Sequence, residues 1–406
     1  MMKFPRPLMA LVIAALGSSA QAQVAYSITN IIDTTSQFSN FGHFLSADDG
    51  APVLNAAGTV GFWAQLDTGP QGFFTLTGST VTTIADSTNT FLDFSPRRPA
   101  MNSSGRVAFF AQTTSGSTGI FAGSGGGNPM VTTIANQSTP FPGQPNPFGG
   151  FANRPSINAS GVVAFAGTSG PATGFFTGTG GGLTTISTAF GFNAATGATS
   201  INSGGTVAFH ANTSDGADFQ RILAGNGGPV TTLASPIGPP FANSFGPPSF
   251  NASGRAAFYA ALDGGGEGIF TSNGGSPTTV ADTTNGFVSF SDSPTINADG
   301  TVFFQATLPG NVTGIFYGSN PVTNRLIAVG DQLFGSTVTA VNIGSFGLND
   351  LGQLAFYYNL ADGRNGLALA TPVPEPTALL LCGAALSGAI ALRRKRRRTI
   401  APVTGP

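Results

Sequence analysis

A short pattern, Asn-x-x-Gly-x-Val-Ala-Phe, recurs seven times along this chain, so the fold must be assembled from seven like units. Its fixed positions are Asn55, Gly58 and Phe62; Asn102, Gly105 and Phe109; Asn158, Gly161 and Phe165; and Asn202, Gly205 and Phe209. The series continues with Asn251, Gly254 and Phe258; Asn297, Gly300 and Phe304; and Asn349, Gly352 and Phe356. Successive copies lie 44 to 56 residues apart, with the variation between the motifs.

Each copy reads as a turn followed by a strand. Asn at the first position suits a type I turn, because its side chain bonds the turn backbone, and Gly at the fourth adopts positive φ without a Cβ clash. A short strand precedes the turn, as in Pro155-Ser156-Ile157 and Pro294-Thr295-Ile296. The strand after it, as at residues 162–166, is apolar on both faces and therefore expected to be buried on both. Two more strand signals follow in each period. One is Gly-Ile-Phe or a variant, as in Gly119-Ile120-Phe121 and Gly268-Ile269-Phe270; the other is Thr-Thr with an aliphatic, as in Val131-Thr132-Thr133-Ile134.

Four short strands per period, separated by turns rich in Gly, Pro and Ser, predict an all-β fold, a seven-bladed β-propeller of four-stranded blades over residues 23–370. The ends supply a closure. Tyr26-Ser27-Ile28-Thr29-Asn30-Ile31-Ile32 reads as a fourth strand with no first three before it, while residues 346–369 offer three strands and no fourth. A parallel β-solenoid is the alternative, although it rarely needs periods this long.

The repeat Ser293-Pro294-Thr295-Ile296-Asn297-Ala298-Asp299-Gly300 resembles the TolB-type propeller repeat, in which Ser-Pro-Asp-Gly fills the same turn. More closely, the seven copies resemble the bacterial tandem-repeat proteins named for their Asn-x-x-Gly-x-x-Ala-Phe motif. Those families are defined by repeat and anchor, so the resemblance implies a fold and little about activity.

The two ends carry addresses. Lys3 and Arg6, an apolar core over residues 8–16, and Ala20-Gln21-Ala22 before Gln23 make a secretory signal peptide, residues 1–22, with cleavage expected before Gln23. Near the other end Val373-Pro374-Glu375-Pro376 precedes an uncharged apolar stretch of 16 residues, 377–392, and then Arg393-Arg394-Lys395-Arg396-Arg397-Arg398. As a helix that stretch rises roughly 24 Å, slightly less than a hydrocarbon core of about 30 Å, so the arginine stems would snorkel. The positive-inside rule makes the basic cluster a stop-transfer signal and places the residues before Pro374 outside. A Pro-Glu-Pro tag, an apolar helix and a basic cluster in that order, residues 371–398, resemble the sorting tail of bacterial PEP-CTERM proteins. That resemblance implies the Sec machinery, signal peptidase and an exosortase as partners. Residues 399–406 continue beyond the cluster, where the family tail usually stops.

Between the addresses stand eight arginines, no lysine and 16 acids, a net charge of about −8. Nucleic acid and anionic lipid both need clustered positive charge, so neither is expected as a partner of the body. The single cysteine, Cys382, falls in the apolar stretch and no disulfide is expected.

Candidate chemistry is sparse. His43 and His210 stand in different units, without metal-ligand neighbours at a usable spacing. The Gly-rich segments 123–127 and 178–182 lie between strands and lack the lysine of a phosphate loop. No G-x-S-x-G elbow occurs, and no cofactor is expected. Loop carboxylates are the remaining possibility: Asp48 with Asp49, Asp215 with Asp218, and Asp263 with Glu267 are spaced to bind Ca²⁺ or to act as acid and base on a glycan, though none follows a calcium-loop pattern. Trp63 is the single tryptophan and stands in a strand, where core packing is expected. Two functions fit. One is an exported surface or matrix protein whose propeller binds a polysaccharide or another surface protein without catalysis. The other is an extracellular polysaccharide lyase or hydrolase, which would need acids and a histidine converging on one propeller face.

Overall fold

The computed structural model describes residues 24–42, 50–94, 98–188, 197–213 and 219–374. Among them the chain forms seven antiparallel sheets arranged as the blades of a β-propeller. Blade 1 shows the plan: Val60–Leu66 pairs on one side with Phe38–Asn40 and Val53–Leu54 and on the other with Gln71–Thr77, beyond which lies Thr80–Asp86. Blades 2, 3, 5 and 6 repeat it, and blade 4 carries Thr199–Ile201, Val207–Thr213, Phe219–Gly225 and Thr231–Ala234.

Blade 7 closes the ring with the amino-terminal strand as expected, but its inner strand Ser336–Asn342 lies before residues 346–369, which hold only two of its strands. Ala25–Asp33 forms its outer edge against Asn365–Val373, followed inward by Leu354–Leu360 and Ser336–Asn342. The Thr34 amide donates to Asn365 O at 3.0 Å, and Ser27 Oγ reaches Thr371 O at 3.5 Å, so the two strands run antiparallel. The closure is also built into the packing, because Phe62 and Phe74 of blade 1 share a core cluster with Tyr357 and Leu367 of blade 7.

The Gly of the Gly-Ile-Phe signal has a steric reason. In six blades the pairing of the third and fourth strands slips by one residue between the second and third residues of the signal, a bulge that strengthens the twist, and in five of those six the first residue is Gly, Arg221 standing there in blade 4. The outer strand then passes so close that a Cβ on Gly268 would meet Ala281 O at 2.6 Å. In blade 7 the equivalent Gly366 faces Ile32 O, so the amino-terminal strand occupies the place of an ordinary fourth strand.

One feature of the blades differs from expectation. The innermost strand is one short segment before each Asn turn in the sequence reading, but in most blades it is two pieces with a break between them. In blade 3 the pieces are Gly150–Phe151 and Ser156–Ile157, both paired with Val163–Ser169. Pro155 sits in the break, and proline cannot donate to a ladder, so the chain leaves the sheet there and returns. Pro99, Pro248 and Pro294 stand at the same place in blades 2, 5 and 6.

No helix among the described residues is long and apolar enough to cross a membrane. The apolar stretch 377–392, Cys382, the basic residues Arg393 to Arg398, Glu375, Pro376 and the cleavage residues Ala20, Ala22 and Gln23 lie outside the described residues. Val373 ends the last strand.

Candidate functional site: the axial cleft

The seven Asn turns form one rim around the axis. In every copy the Asn Oδ1 accepts the amide four residues on, at 2.9 to 3.0 Å, and the Gly takes φ between 73° and 87°. Five copies do more. Asn55 Nδ2 donates to Asn102 O, Asn102 to Asn158 O, Asn158 to Asn202 O, Asn251 to Asn297 O, and Asn349 back to Asn55 O. One amide thus shapes its own turn and ties the blade to the next. All seven Phe of the motif are wholly buried, and Phe209 packs on Phe175 of the preceding blade with ring centroids 4.3 Å apart.

The opposite end of the inner strands is where the blades diverge. Four residues before each Asn stand Ala51, Arg98, Arg154, Ala198, Pro247, Ser293 and Ser345. Six of these seven, all but Ser293, line one cleft on the propeller axis, together with neighbours that include Pro99, Pro155, Pro248 and Phe346. Water-sized molecules have about 30 Å³ in it.

Both arginines are braced by oxygens from other segments. Arg98 Nη1 donates to Asn153 Oδ1 at 3.0 Å, which brings it beside Arg154. Arg154 reaches from blade 3 to blade 6, where Nη1 lies 3.4 Å from Ser293 Oγ and Nη2 lies 4.0 Å from Asp292 Oδ2. Ser345 Oγ is buried with no hydrogen-bond partner among the described residues.

His210 is buried in blade 4, with Nε2 at 3.2 Å from Gln220 Oε1. That same oxygen accepts the Phe245 amide of blade 5, so it is a carbonyl oxygen and the histidine donates from Nε2. Burial, opposed by the Gln220 contact and assisted by the field of Arg154, pushes the imidazole down to about 4. It is neutral at physiological pH and holds the Gln220 side chain, whose Oε1 makes the bond to blade 5. Blade 5 builds the same bridge differently: Glu267 Oε2 accepts the Tyr259 hydroxyl at 2.7 Å, and Oε1 accepts the Phe290 amide of blade 6 at 2.7 Å. Burial first, then the Glu267 contact, raises the Tyr259 hydroxyl well above its ordinary value.

Of the carboxylate pairs singled out from sequence, Asp263 is exposed in a turn while both Glu267 oxygens are committed to that bridge. His43, Asp48, Asp49, Asp215 and Asp218 lie outside the described residues. No group of three or more His, Cys, Asp or Glu that could hold a metal ion occurs among the described residues. Trp63 is buried with Phe73 and Phe109 in the core between blades 1 and 2. The axial arginines were absent from the sequence reading. Their signal was available: both immediately precede the proline of an inner strand.

Among solved structures, TolB from Acinetobacter baumannii is similar over 80% of this chain and 63% of its own length, at 13% identity and a TM-score of 0.38. The Aleuria aurantia lectin in complex with Fucα1-6GlcNAc is similar over 68% of this chain and 93% of its own, at 12% identity and a TM-score of 0.38. An oligogalacturonate lyase in complex with manganese is similar over 71% of this chain and 90% of its own, at 11% identity and a TM-score of 0.37. Comparison with curated proteins finds no match. Residues 12–380 match the sequence model described as Family of unknown function (DUF7453), and the chain belongs to that family.

Proposed function

We propose that the protein is an exported cell-surface or extracellular-matrix component whose propeller is a non-catalytic interaction module for a polysaccharide or another surface protein. In this reading residues 1–22 direct export, residues 377–392 hold the chain in the membrane, and an exosortase-type enzyme acts at Val373-Pro374-Glu375-Pro376. The order of tag, apolar stretch and basic cluster supports the address.

The observation that carries the binding role is a division of labour inside the ring. The seven-fold Asn, Gly and Phe are committed to turns, blade-to-blade bonds and core, whereas the residues lining the axial cleft differ from blade to blade. Recognition by a scaffold resides in such varied positions held by a regular frame.

Two measurements test it. Mass spectrometry of surface material should find a mature chain beginning near Gln23 and ending near residues 373–376; a cytoplasmic product with intact Met1 would overturn the address. Incubating the mature protein with polysaccharides and surface proteins of the producing cells should give retention without release of reducing or unsaturated ends. Release that depends on one carboxylate would make the protein an enzyme instead.

A further inference from the structure

We propose that the Asn-turn face of blades 6 and 7 rests on the lipid surface of the membrane while the tail is in place, with its exposed apolar side chains in the headgroup layer. This placement rests on the reading of residues 377–392 as a membrane span, and it presents the opposite face, where the blades differ, away from the bilayer.

Strand direction fixes the corner at which the chain leaves the fold. In each blade the second strand runs away from the Asn turn and the third runs back, so the third strand ends on the Asn-turn face. In blade 7 the third strand is Asn365–Val373, and Gln353 Nε2, just beyond the Asn349 turn, donates to Thr371 Oγ1 at 3.3 Å. A Cβ on Gly352 of that turn would lie 3.2 Å from Pro372 Cγ. The other blades continue from this corner by a hairpin into their own fourth strand, whereas in blade 7 the fourth strand is Ala25–Asp33, from the amino end. Both ends of the body therefore lie at one corner.

Apolar side chains collect there. Val322 is 80% exposed, Leu351 64% and Val373 44%. Leu351 stands next to Gly352 in the Asn349 turn. Val322 lies in a hairpin of blade 6, whose Tyr317 hydroxyl donates to Thr323 O at 3.4 Å and whose Tyr317 ring is 5.4 Å from that of Tyr26 on the amino-terminal strand. Both tyrosines are partly exposed, and tyrosine is enriched at the level of lipid headgroups. The nearest charges along the chain are turned to protein: Asp350 Oδ1 accepts the Ala298 amide at 2.8 Å, and Arg325 donates to Asp331 Oδ1 at 2.9 Å. Leu92, Met130, Ile237 and Val288 are also exposed, but they are scattered over other blades or the far end of blade 6, and scattered apolar residues need no partner.

Chain length sets the distance to lipid. Val373 ends its strand, and only residues 374–376 separate it from the apolar stretch 377–392. Fully extended, those steps reach about 14 Å, and a headgroup layer is roughly 5–8 Å thick on each side of the hydrocarbon. The corner is thus held at or just above the lipid surface. Because the stretch is shorter than the hydrocarbon core, it draws the corner closer still.

Charge selects the mode of contact. A body of about −8 repels a second copy and an anionic bilayer alike. The contact is therefore apolar insertion among zwitterionic headgroups rather than electrostatic adsorption.

The test takes the chain with its tail, residues 23–406, reconstituted in phosphatidylcholine vesicles with or without bromine on the upper part of the acyl chains. Val322→Trp and Leu351→Trp place a reporter at the corner, Ile237→Trp places one at the opposite end, and the buried Trp63 gives the background. Bromine should remove most of the added emission at 322 and 351 and none at 237, and about 1 M salt should leave that difference unchanged. A corner tryptophan that keeps its emission, equal quenching at all three positions, or quenching abolished by salt would each overturn the placement. So would dimers in detergent that Val322→Asp dissociates, since the patch would then be an interface between copies. If the chain floats with the vesicles yet its corner is not quenched, only the docking falls. If it does not float with them, the membrane-span reading falls as well.

Discussion

The two rims of the ring use the same strands for opposite purposes. At the Asn-turn rim seven copies of one motif do one job, with each Oδ1 closing its own turn and Nδ2 in five copies tying the next blade. At the cleft rim, four residues upstream on the same strands, the side chains vary from alanine to proline, serine and arginine. Repetition marks where the fold is held, and its loss marks where the molecule is free to be specific.

The largest expected effect lies in the shared frame. Phe209→Ala removes a wholly buried ring packed against Phe175 and should cost about 3–5 kcal/mol in urea denaturation. A cost near zero would mean that the motif Phe does not carry the core, and the contrast between the rims would fail.

His210 tests the boundary between the two regions, since it holds the Gln220 that bridges blades 4 and 5 and lies within the field of Arg154. Its folded value of about 4 lies below the usual 6.5, so the unfolded chain takes up a proton first as the pH falls. The stability contributed by the neutral imidazole is therefore fully present above pH 6.5 and is lost on acidification toward pH 4, by roughly 3 kcal/mol. Denaturation midpoints measured across that window should fall in the wild type and change less in His210→Gln; parallel curves would show that the imidazole is not buried as described.

Asn251→Ala deletes an acceptor for the Arg255 amide and Ser253 hydroxyl and a donor to Asn297 O. A loss of about 1–3 kcal/mol is expected, with the Asn297 carbonyl left to the Gly300 amide alone. Asn251→Asp keeps the acceptor and loses the donor, so its difference from the wild type isolates the tie to the next blade and its difference from Asn251→Ala isolates the turn. The smallest effect belongs to Asp263→Asn. This exposed turn residue should change stability by less than about 0.5 kcal/mol, and a larger change in melting temperature would show that the loop acids carry part of the frame.

Sequence by itself determined the seven blades, the turn at each Asn and Gly, the buried Phe series and the closure by residues 26–32. These are local signals repeated at a regular period, and a turn or a strand announces itself within a few residues. Tertiary structure alone decided that the Asn amide also reaches the neighbouring blade, that Glu267 is committed to Tyr259 and Phe290 rather than paired with Asp263, and that His210 is buried and neutral. It alone brought Arg98 and Arg154, from different blades, to one cleft on the axis. Contacts of this kind depend on how the blades are rotated about that axis, and no local pattern of turns and apolar residues encodes which side chains then meet.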